Sequence, residues 1–284
     1  MLNSTLGLNG SRNMEIGAIG HPNVAPHAIR WARQAGKIAM RYFKNATVSY
    51  KQDKDRSLVT QADVEVEQYL RSQIGRIYPE HRFIGEEGTQ DGGLRTRVTN
   101  TPYTWAIDPV DGTTAFVHGL PGWGISLGLL YHGQPLFGLF YMPLLDDLTY
   151  TTNDGIICNG QHLYYSVLPN WGHKGFLAVS AGSHHDFDID ILRIRALGSV
   201  SASFIYTARG SAAGALIPKA YLWDLIAGAS ILAKAGGELR YLSGKPVDYL
   251  SLLNGRRAPE PIIAGHPDML TEIQQSIKPR ATVM

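Results

Sequence analysis

Tyr103 to Thr113 reads Tyr-Thr-Trp-Ala-Ile-Asp-Pro-Val-Asp-Gly-Thr, and the rest of the chain is organised around this stretch. Its apolar, aromatic first half ends abruptly, so that Asp108 and Asp111 emerge at the end of a predicted buried strand. The residue before a proline is biased toward extended geometry, which holds Asp108 in the strand direction while the chain turns and returns Asp111 nearby. Gly112 has no side chain and lets an anion approach the backbone. The stretch therefore predicts a metal site beside a phosphate-binding turn.

Length and composition are those of an ordinary globular protein. The chain has 284 residues, of which 44% are hydrophobic and 18% are charged. These values exclude the disordered and collagen-like classes. The formal net charge is +2 without a long basic run, so we predict no binding to nucleic acid or to a membrane. We expect a small-molecule partner instead.

Cysteine content and hydropathy indicate the cellular compartment in which the protein is expected. Cys158 is the only cysteine, so no disulfide can form within the chain. No apolar window is long enough to span a bilayer, and the N-terminal residues do not read as a signal peptide. We therefore expect a cytoplasmic protein. Residues 1–23 are interpreted as a loose N-terminal tail and residues 24–284 as a single domain with two layered halves, roughly 24–170 and 171–284.

Apolar periodicity predicts helices before the central stretch and an antiparallel meander after it. Helical spacing predicts one helix over Pro26–Phe43 and a second that starts near Asp63. Apolar runs separated by turn residues predict strands over 123–131, 135–142 and 148–152. Strands mixed with helices in both halves imply a layered α/β architecture. The other predicted elements are strands over 82–84, 176–180 and 261–264, and helices over 188–195, within 216–235 and from Pro267 onward.

Three acidic residues, Asp63, Glu65 and Glu67, lie at the start of the second predicted helix. Negative side chains are favourable there because they compensate the helix dipole. We therefore interpret Glu65 and Glu67 as structural and do not predict them as metal ligands.

Four other acidic residues stand at the ends of apolar runs: Glu86, Asp108, Asp111 and Asp224. Asp224 lies near a predicted helix start, where it could also act only as a cap. Carboxylates without a nearby His or Cys cluster favour magnesium or manganese. Phosphate chemistry commonly uses two such ions roughly 3.5 to 4 Å apart. The four acids therefore predict a metal centre suited to in-line attack of water on a phosphate monoester.

The chain resembles the inositol monophosphatase family, which comprises magnesium-dependent, lithium-sensitive phosphatases related to fructose bisphosphatase. The matching motifs follow the family's order from about residue 26 to residue 270. The resemblance implies a layered αβαβα sandwich and a homodimer. The motifs are Val59, Thr60 and Asp63; the Gly85, Glu86, Glu87 turn; the Asp-Pro-x-Asp-Gly-Thr-Thr run over 108–114; and Trp223, Asp224, Ala227 and Gly228.

The resemblance also implies which residues hold the metal and the phosphate. The cofactor is Mg²⁺, two or three ions, with Mn²⁺ as a substitute. The amides of Gly112 and Thr113 hold the phosphate, and the Thr113 hydroxyl orients the attacking water beside the metal bound by Glu86. The implied metal ligands are the carboxylates of Glu86, Asp108, Asp111 and Asp224 and the carbonyl of Val110.

One departure concerns the attacking water. Many family members have an aspartate three residues before the threonine that corresponds to Thr60, where it helps to polarise the water. This chain has Ser57 at that position and Asp55 two residues earlier. Either Asp55 replaces the missing acid, or Thr60 and Thr113 suffice.

A second departure concerns the substrate alcohol. By resemblance, Gly198, Ser199 and Val200 contact it. Animal enzymes have an acid before the Trp-Asp pair that binds an inositol hydroxyl, whereas this chain has Leu-Ile-Pro-Lys over 216–219. Lys219 is either an exposed structural lysine or a partner for a second negative charge on the substrate.

The expected reaction is hydrolysis of a small polyol or sugar phosphate monoester, nominally inositol 1-phosphate, by a metal-activated water. Within the same class the alternatives are histidinol phosphate, fructose 1,6-bisphosphate and a nucleotide 3'-phosphate. From a different class, the alternative is a non-catalytic family member that binds metal or phosphate. A purely structural role would leave converging carboxylates uncompensated, which would raise their pKa values or require a cation.

Overall fold

The computed structural model describes residues 23–45, 48–50, 58–88, 101–164, 166–172 and 175–280. Residues 1–22 of the predicted tail, and Asp55 and Ser57, lie outside the described residues. The division into a tail and one domain stays a prediction. The helices are α1 (Ala25–Met40), α2 (Gln61–Ile77), α3 (Thr113–Val117), α4 (Ser183–Asp186), α5 (Val200–Ala208), α6 (Leu222–Lys234), α7 (Tyr249–Leu252) and α8 (Pro267–Gln275). The strands are β1 (Val48–Tyr50), β2 (Leu58–Thr60), β3 (Arg82–Gly85), β4 (Tyr103–Asp111), β5 (Gly124–Tyr131), β6 (Gln134–Met142), β7 (Asp147–Thr151), β8 (Ile156–Cys158), β9 (Gln161–Leu163), β10 (Leu177–Val179), β11 (Phe187–Ile189), β12 (Ile194–Ala196), β13 (Gly214–Ile217), β14 (Glu238–Tyr241), β15 (Ile262–Gly265) and β16 (Ile277–Pro279).

The two predicted N-terminal helices are confirmed. Pro26 lies in the first turn of α1, where its missing amide hydrogen costs no helical bond. A capping box starts α2: the Thr60 hydroxyl accepts a hydrogen bond from the Ala62 amide, and the Asp63 carboxylate accepts one from the Thr60 amide at 2.8 Å. Such reciprocal bonds satisfy amides that would otherwise have no partner. Asp63 is thereby fixed at the start of the helix.

The predicted meander forms most of the larger sheet. Its described strands are ordered β3-β4-β5-β6-β7-β8-β9, and only β3 and β4 run parallel. One face packs on α1 and α2, where Trp105, Ile107 and Leu127 join the buried face of α1. The other face carries Ala106 and Phe140 into a second core. The period of two along each strand therefore gives both faces of the sheet a helical layer.

The smaller described sheet has the order β12-β10-β13-β15-β14. Ala215 and Ile217 face α5 and α6, whereas Leu216 faces α8 across the opposite core. Outward from the first two helices, the layers are therefore α1 with α2, the larger sheet, α5 with α6, the smaller sheet, and α8. The predicted αβαβα sandwich is confirmed. None of the described helices has the length and hydropathy to cross a membrane.

One element was predicted wrongly. The segment expected to form a helix over 188–195 contains β11 and β12 instead. Phe187 and Ile189 alternate with polar residues, which is the spacing of a strand, and Ile189 pairs with Ile277 in a two-stranded sheet. Ile277 lies far along the chain from Ile189. A helix predicted from a short segment alone could not take this pairing into account.

Candidate active site

A bulge in β4 brings the two aspartates of the central stretch to one place. Asp108 pairs with Ser126 and Asp111 with Gly124, and the register shifts between them. In a regular strand, residues three apart point to opposite faces, but the extra residue of a bulge reverses that relation. The strand thus continues through Asp111, rather than ending at Asp108 as the sequence suggested.

Asp108 lies at the centre of an acidic cluster. It is 3% exposed, and burial raises its pKa well above the ordinary value, with further increases from Glu86, Asp111, Asp224 and Asp63 in that order. Buried like charges make each other's ionisation costly. The structure therefore brings the four carboxylates predicted from the sequence into one cluster, in which Asp108 and Asp111 are buried and Glu86 and Asp224 are half-buried, and adds the buried Asp63 to them.

Asp224 lies in the first turn of α6 and is half-buried. Its carboxylate accepts a hydrogen bond of 2.7 Å from the Tyr221 amide, so it caps the helix as one of the two sequence readings allowed. Asp108 is its neighbour in the acidic cluster. Burial, then Asp111 and Glu86, raise its pKa well above the ordinary value. Asp224 is thus both a cap and a member of the acidic cluster.

Asp111 connects this cluster to the second half of the chain. Its carboxylate accepts hydrogen bonds from the amides of Val200 at 3.0 Å and Ser201 at 2.6 Å. These amides start α5 and have no acceptor within the helix. Burial raises the pKa of Asp111, and the bonds from Ser201, Ser199 and Val200 oppose that rise. The segment predicted to contact the substrate alcohol therefore lies against this acid.

Close backbone approach explains the glycines of the site. Gly112 has a φ of 96° and precedes α3. A Cβ at this position would lie 2.7 Å from the carbonyl oxygen of Gly198. Gly198 itself has a φ of 92°, and its own Cβ would lie 2.9 Å from the carbonyl oxygen of Gly122. Only glycine fits at these contacts, which join the predicted phosphate turn to the loop before α5.

Thr113 and Thr60 meet at Asp63. The Thr113 hydroxyl lies 3.5 Å from one Asp63 oxygen and donates to the Val110 carbonyl at 3.2 Å. The Thr60 hydroxyl donates to the other Asp63 oxygen at 2.6 Å. Burial, followed by Glu86, raises the pKa of Asp63 to about 7. Both threonines predicted to be catalytic thus contact a buried acid that was not itself predicted as a catalytic residue or a metal ligand.

Asp63 also belongs to a possible cation-binding group. One carboxylate oxygen each from Asp63, Glu86 and Glu87 lies within 4.8 Å of the others. Sequence reasoning did not include Asp63 or Glu87 among the ligands. The role of Asp63 could have been recognised from its position three residues after Thr60. At this third position of a helix, an acidic side chain turns back toward the helix start.

Glu67 braces the turn that carries Glu86. It is 2% exposed and accepts hydrogen bonds of 2.8 Å from the amides of Glu87 and Gly88. Arg71 donates to it at 2.7 Å. Glu67 is therefore structural, as interpreted from the sequence, but it holds this turn rather than only compensating the helix dipole. Glu67 lies four residues after Asp63 and three before Leu70, which places it on the buried face of α2. This spacing could have indicated from the sequence that Glu67 is buried.

Glu65 and Lys219 lie outside the cluster. Glu65 accepts hydrogen bonds from Arg41 and Tyr42 on the far side of α2. Lys219 is exposed in the loop between β13 and α6. A role of Lys219 in substrate binding stays a prediction.

The chemistry of the cluster fits a hard divalent cation. Its donors are carboxylate oxygens, with the Val110 carbonyl alongside, and such oxygen sets suit Mg²⁺ or Mn²⁺. Several buried carboxylates with raised pKa values would be costly to ionise together at neutral pH. A bound cation offsets this cost, so the residues present fit the metal that the resemblance implies.

Comparisons with known proteins bear on the family and the fold of the chain. A sequence model of the inositol monophosphatase family matches residues 22–259. Inositol monophosphatase 1 of Mus musculus is 34% identical over 241 residues, which cover 79% of this chain and 86% of that protein. The structure of the suppressor protein suhB from Bartonella henselae superposes with a TM-score of 0.75 at 23% identity and covers 89% of this chain and 97% of its own. The Thermotoga maritima IMPase superposes with a TM-score of 0.74 at 24% identity and covers 89% and 95% of the two chains. The two structures show a shared fold.

Proposed function

The chain belongs to the inositol monophosphatase family and is a metal-dependent phosphomonoester hydrolase, and we propose that its substrate is a small polyol or sugar phosphate with inositol 1-phosphate as the nominal member. The name of the mouse relative supports this choice. The observation that carries the proposal is the acidic cluster next to Gly112, which lines a cavity.

The proposed metal ligands are the carboxylates of Glu86, Asp108, Asp111 and Asp224 and the carbonyl of Val110. Two or three Mg²⁺ ions, or Mn²⁺, would be held there. When bound, they supply charge that activates a water and stabilises the negative charge that develops on the phosphate. The proximity of the four carboxylates to one another supports this assignment of the ligands.

Gly112 and Thr113 are proposed to hold the phosphate through their backbone amides. The positive φ of Gly112 turns the chain sharply after the second aspartate. Amides at such a turn present their hydrogens to an anion. The contact with Gly198 fixes the turn before substrate arrives, so that little ordering is required on binding.

Thr113 is proposed to orient the attacking water. Its hydroxyl faces Asp63 and the Val110 carbonyl, which leaves an oxygen lone pair for a hydrogen bond from water. Thr60 holds Asp63 through its hydroxyl and its amide. Asp63 is therefore the acid proposed to lie beside the water. In this scheme Thr60 and Thr113 act together with Asp63, and neither Asp55 nor Ser57 is required.

Gly198, Ser199 and Val200 are proposed to contact the substrate alcohol, because their segment is bonded to Asp111. Hydrolysis of the phosphate monoester at this site would release the alcohol toward α5. The homodimer, which the family resemblance implies, stays a prediction. The cytoplasmic location also stays a prediction, supported by the single cysteine.

Release of inorganic phosphate from a panel of monoesters tests the proposal. The panel contains inositol 1-phosphate, histidinol phosphate, fructose 1,6-bisphosphate and adenosine 3'-monophosphate, each with 5 to 10 concentrations of Mg²⁺ in about a hundredfold range around the half-saturating value. We expect inositol 1-phosphate to be hydrolysed with the highest kcat/KM. A higher value for another member would replace the nominal substrate. No release from any member, with Mg²⁺ binding demonstrated by calorimetry, would favour the non-catalytic binding protein.

A further inference from the structure

Ser201 contacts two neighbouring strands of the larger sheet from the first turn of α5. Its amide donates to the Asp111 carboxylate in β4 at 2.6 Å, and its hydroxyl donates to the Ser126 hydroxyl in β5 at 3.1 Å. Ser126 and Ser201 are both 0% exposed. Buried hydroxyl groups cost free energy unless they are hydrogen-bonded. The bond between the two serines therefore favours this one placement of α5 against β5.

The backbone ladder of β4 is interrupted between the two aspartates that are proposed to bind the metal. The pairing register of β4 with β5 shifts between Asp108 and Asp111. Pro109 has no amide hydrogen to donate, and the Val110 amide donates to the Asp108 side chain at 3.1 Å. A bulge disrupts the regular hydrogen bonds between strands. The position of Asp111 relative to Asp108 therefore depends on contacts from outside this ladder.

The start of α5 supplies these contacts. The amides of Val200 and Ser201 donate to the Asp111 carboxylate at 3.0 and 2.6 Å. Amides in the first turn have no acceptor within their helix, so they are free to hold a carboxylate. Where they hold it depends on where the helix starts, and Ser126 is the point at which a hydroxyl bond attaches this start to β5. Ser126 also lies directly opposite Asp108 in the pairing of β4 with β5.

We propose that Ser126 and Ser201 are positioning residues of the metal centre, which fix the start of α5 on β5 and thereby orient the Asp111 carboxylate toward the cation. The inference rests on the proposed phosphatase function and adds to it two serines that act through Asp111. Groups that orient metal-ligating carboxylates commonly change metal affinity by roughly 10–100-fold. The bond between the two hydroxyls should therefore set the affinity for Mg²⁺ without taking part in the hydrolysis.

Ser126→Ala, Ser201→Ala and the double variant test this role, with calorimetric titration of Mg²⁺ and thermal unfolding in EDTA as the two measurements. Each single variant leaves one buried hydroxyl without its partner, which lowers the thermal midpoint. We expect the Mg²⁺ affinity of each to fall about tenfold. The double variant leaves neither hydroxyl unpaired, so its thermal midpoint should exceed that of either single variant. Its Mg²⁺ affinity should stay about tenfold below that of the unchanged chain, because two residues that act through one bond are not additive.

Ser203→Ala is the matched control. Ser203 is 1% exposed and lies in the same helix, where its hydroxyl donates to the Ser199 carbonyl at 2.9 Å. The substitution removes a buried hydroxyl from α5 but leaves the bond between α5 and β5 in place. The Mg²⁺ affinity of this variant should be that of the unchanged chain. An equal loss of affinity in Ser203→Ala would overturn the inference, because α5 would then act only through general stability.

The inference and the proposed function can fail separately. If the unchanged chain hydrolyses phosphate monoesters and neither single variant weakens Mg²⁺ binding, only the inference fails. It also fails if Mg²⁺ affinity recovers together with the thermal midpoint in the double variant, or if the two single effects multiply. If the unchanged chain binds Mg²⁺ but hydrolyses no ester, the proposed function fails and the calorimetric affinities still decide the inference. A chain that binds no Mg²⁺ overturns both. Where a single variant does not fold, the Mg²⁺ affinity of the double variant decides: an unchanged value contradicts the inference.

Discussion

The carboxylate of Glu67 accepts a hydrogen bond of 2.8 Å from the backbone amide of Glu87. Glu87 follows directly on Glu86, the acid proposed to bind the metal from the end of β3. Glu67 is buried and also held by Arg71. The turn that presents Glu86 is therefore fixed by a side chain from α2, and Glu67 contributes to the metal site without itself being a ligand.

Glu67→Gln should weaken magnesium binding. The amide keeps the size of the side chain but loses one acceptor and the charge that holds Arg71, so the Glu86 turn becomes less ordered. Residues that orient metal ligands typically contribute 10–100-fold in affinity, and we expect the Mg²⁺ concentration for half-maximal activity to rise about tenfold. Activity titrations with Mg²⁺ measure this value.

Glu65→Gln is the control for this prediction. Glu65 lies two residues away on the same helix and contacts Arg41 and Tyr42 instead. Its half-saturating Mg²⁺ concentration should be unchanged. An equal shift in both variants would mean that α2 acts only through general stability.

Asp108→Asn should separate activity from stability. Asp108 is buried among other carboxylates, so a neutral amide removes repulsion from the metal-free fold. We expect kcat at saturating Mg²⁺ to fall about 100-fold or more, while the thermal midpoint in EDTA at pH 8 rises. Turnover and thermal unfolding of the same preparation measure both. A variant with near-normal turnover would show that Asp108 is not a metal ligand.

Local signals in the sequence were sufficient for most of the site. Asp108, Asp111 and Gly112 come at the end of an apolar run, and the proline between the aspartates marks an irregular strand. The near-continuous apolar runs in β4 and β5 are typical of a sheet that is buried on both faces. Glu86 and Asp224 follow similar boundaries between apolar and polar residues, so their part in the site was predictable once the family motifs were recognised.

Features that depend on contacts between distant parts of the chain could not be predicted from the sequence. The reach of the α5 amides to Asp111 requires a contact over 89 residues, and the pairing of Ile189 with Ile277 converts a predicted helix into a strand. Asp63 and Glu67 would compensate the dipole of α2 equally well if they were exposed to solvent. Only the packing of α2 against the β3 turn distinguishes a buried acid from a solvated one, although the spacing within α2 already favoured burial for Glu67.

The stability of the metal-free protein should fall as pH rises from about 4 to about 7. The pKa of Asp63 is raised to about 7 from its ordinary value of 3.8. Because the folded state holds this proton more tightly than the unfolded state, the stabilising contribution is complete below pH 3.8 and is lost as pH rises through 7. Thermal unfolding in EDTA between pH 5 and pH 8 should show this decrease, and Asp63→Asn should make it smaller.

Magnesium should reverse that trend. Metal binding requires ionised carboxylates and therefore releases protons. The increase in thermal midpoint on adding Mg²⁺ should consequently be larger at pH 8 than at pH 5. A constant increase across this range would mean that the raised pKa values of the cluster do not govern metal binding.

Gly112→Ala should damage both the fold and phosphate binding. The backbone at Gly112 has a φ of 96°, and the new Cβ would lie 2.7 Å from the Gly198 carbonyl oxygen and 3.0 Å from that of Gly122. Backbone atoms cannot move aside as a flexible side chain can. Strain of this kind costs about 1–3 kcal/mol, and we expect a loss of about 3 kcal/mol in the free energy of unfolding, with a weaker affinity for inorganic phosphate.

Gly160→Ala separates the two causes of this loss. Gly160 also has a positive φ, 80°, but a Cβ there would meet nothing within 4 Å. It should therefore show only the conformational cost of about 1 kcal/mol and no change in phosphate affinity. Urea unfolding and calorimetric titration with phosphate in Mg²⁺ measure the two quantities. If both variants lose equal stability, the contact between Gly112 and Gly198 does not constrain the phosphate turn, because the φ alone would then account for the effect.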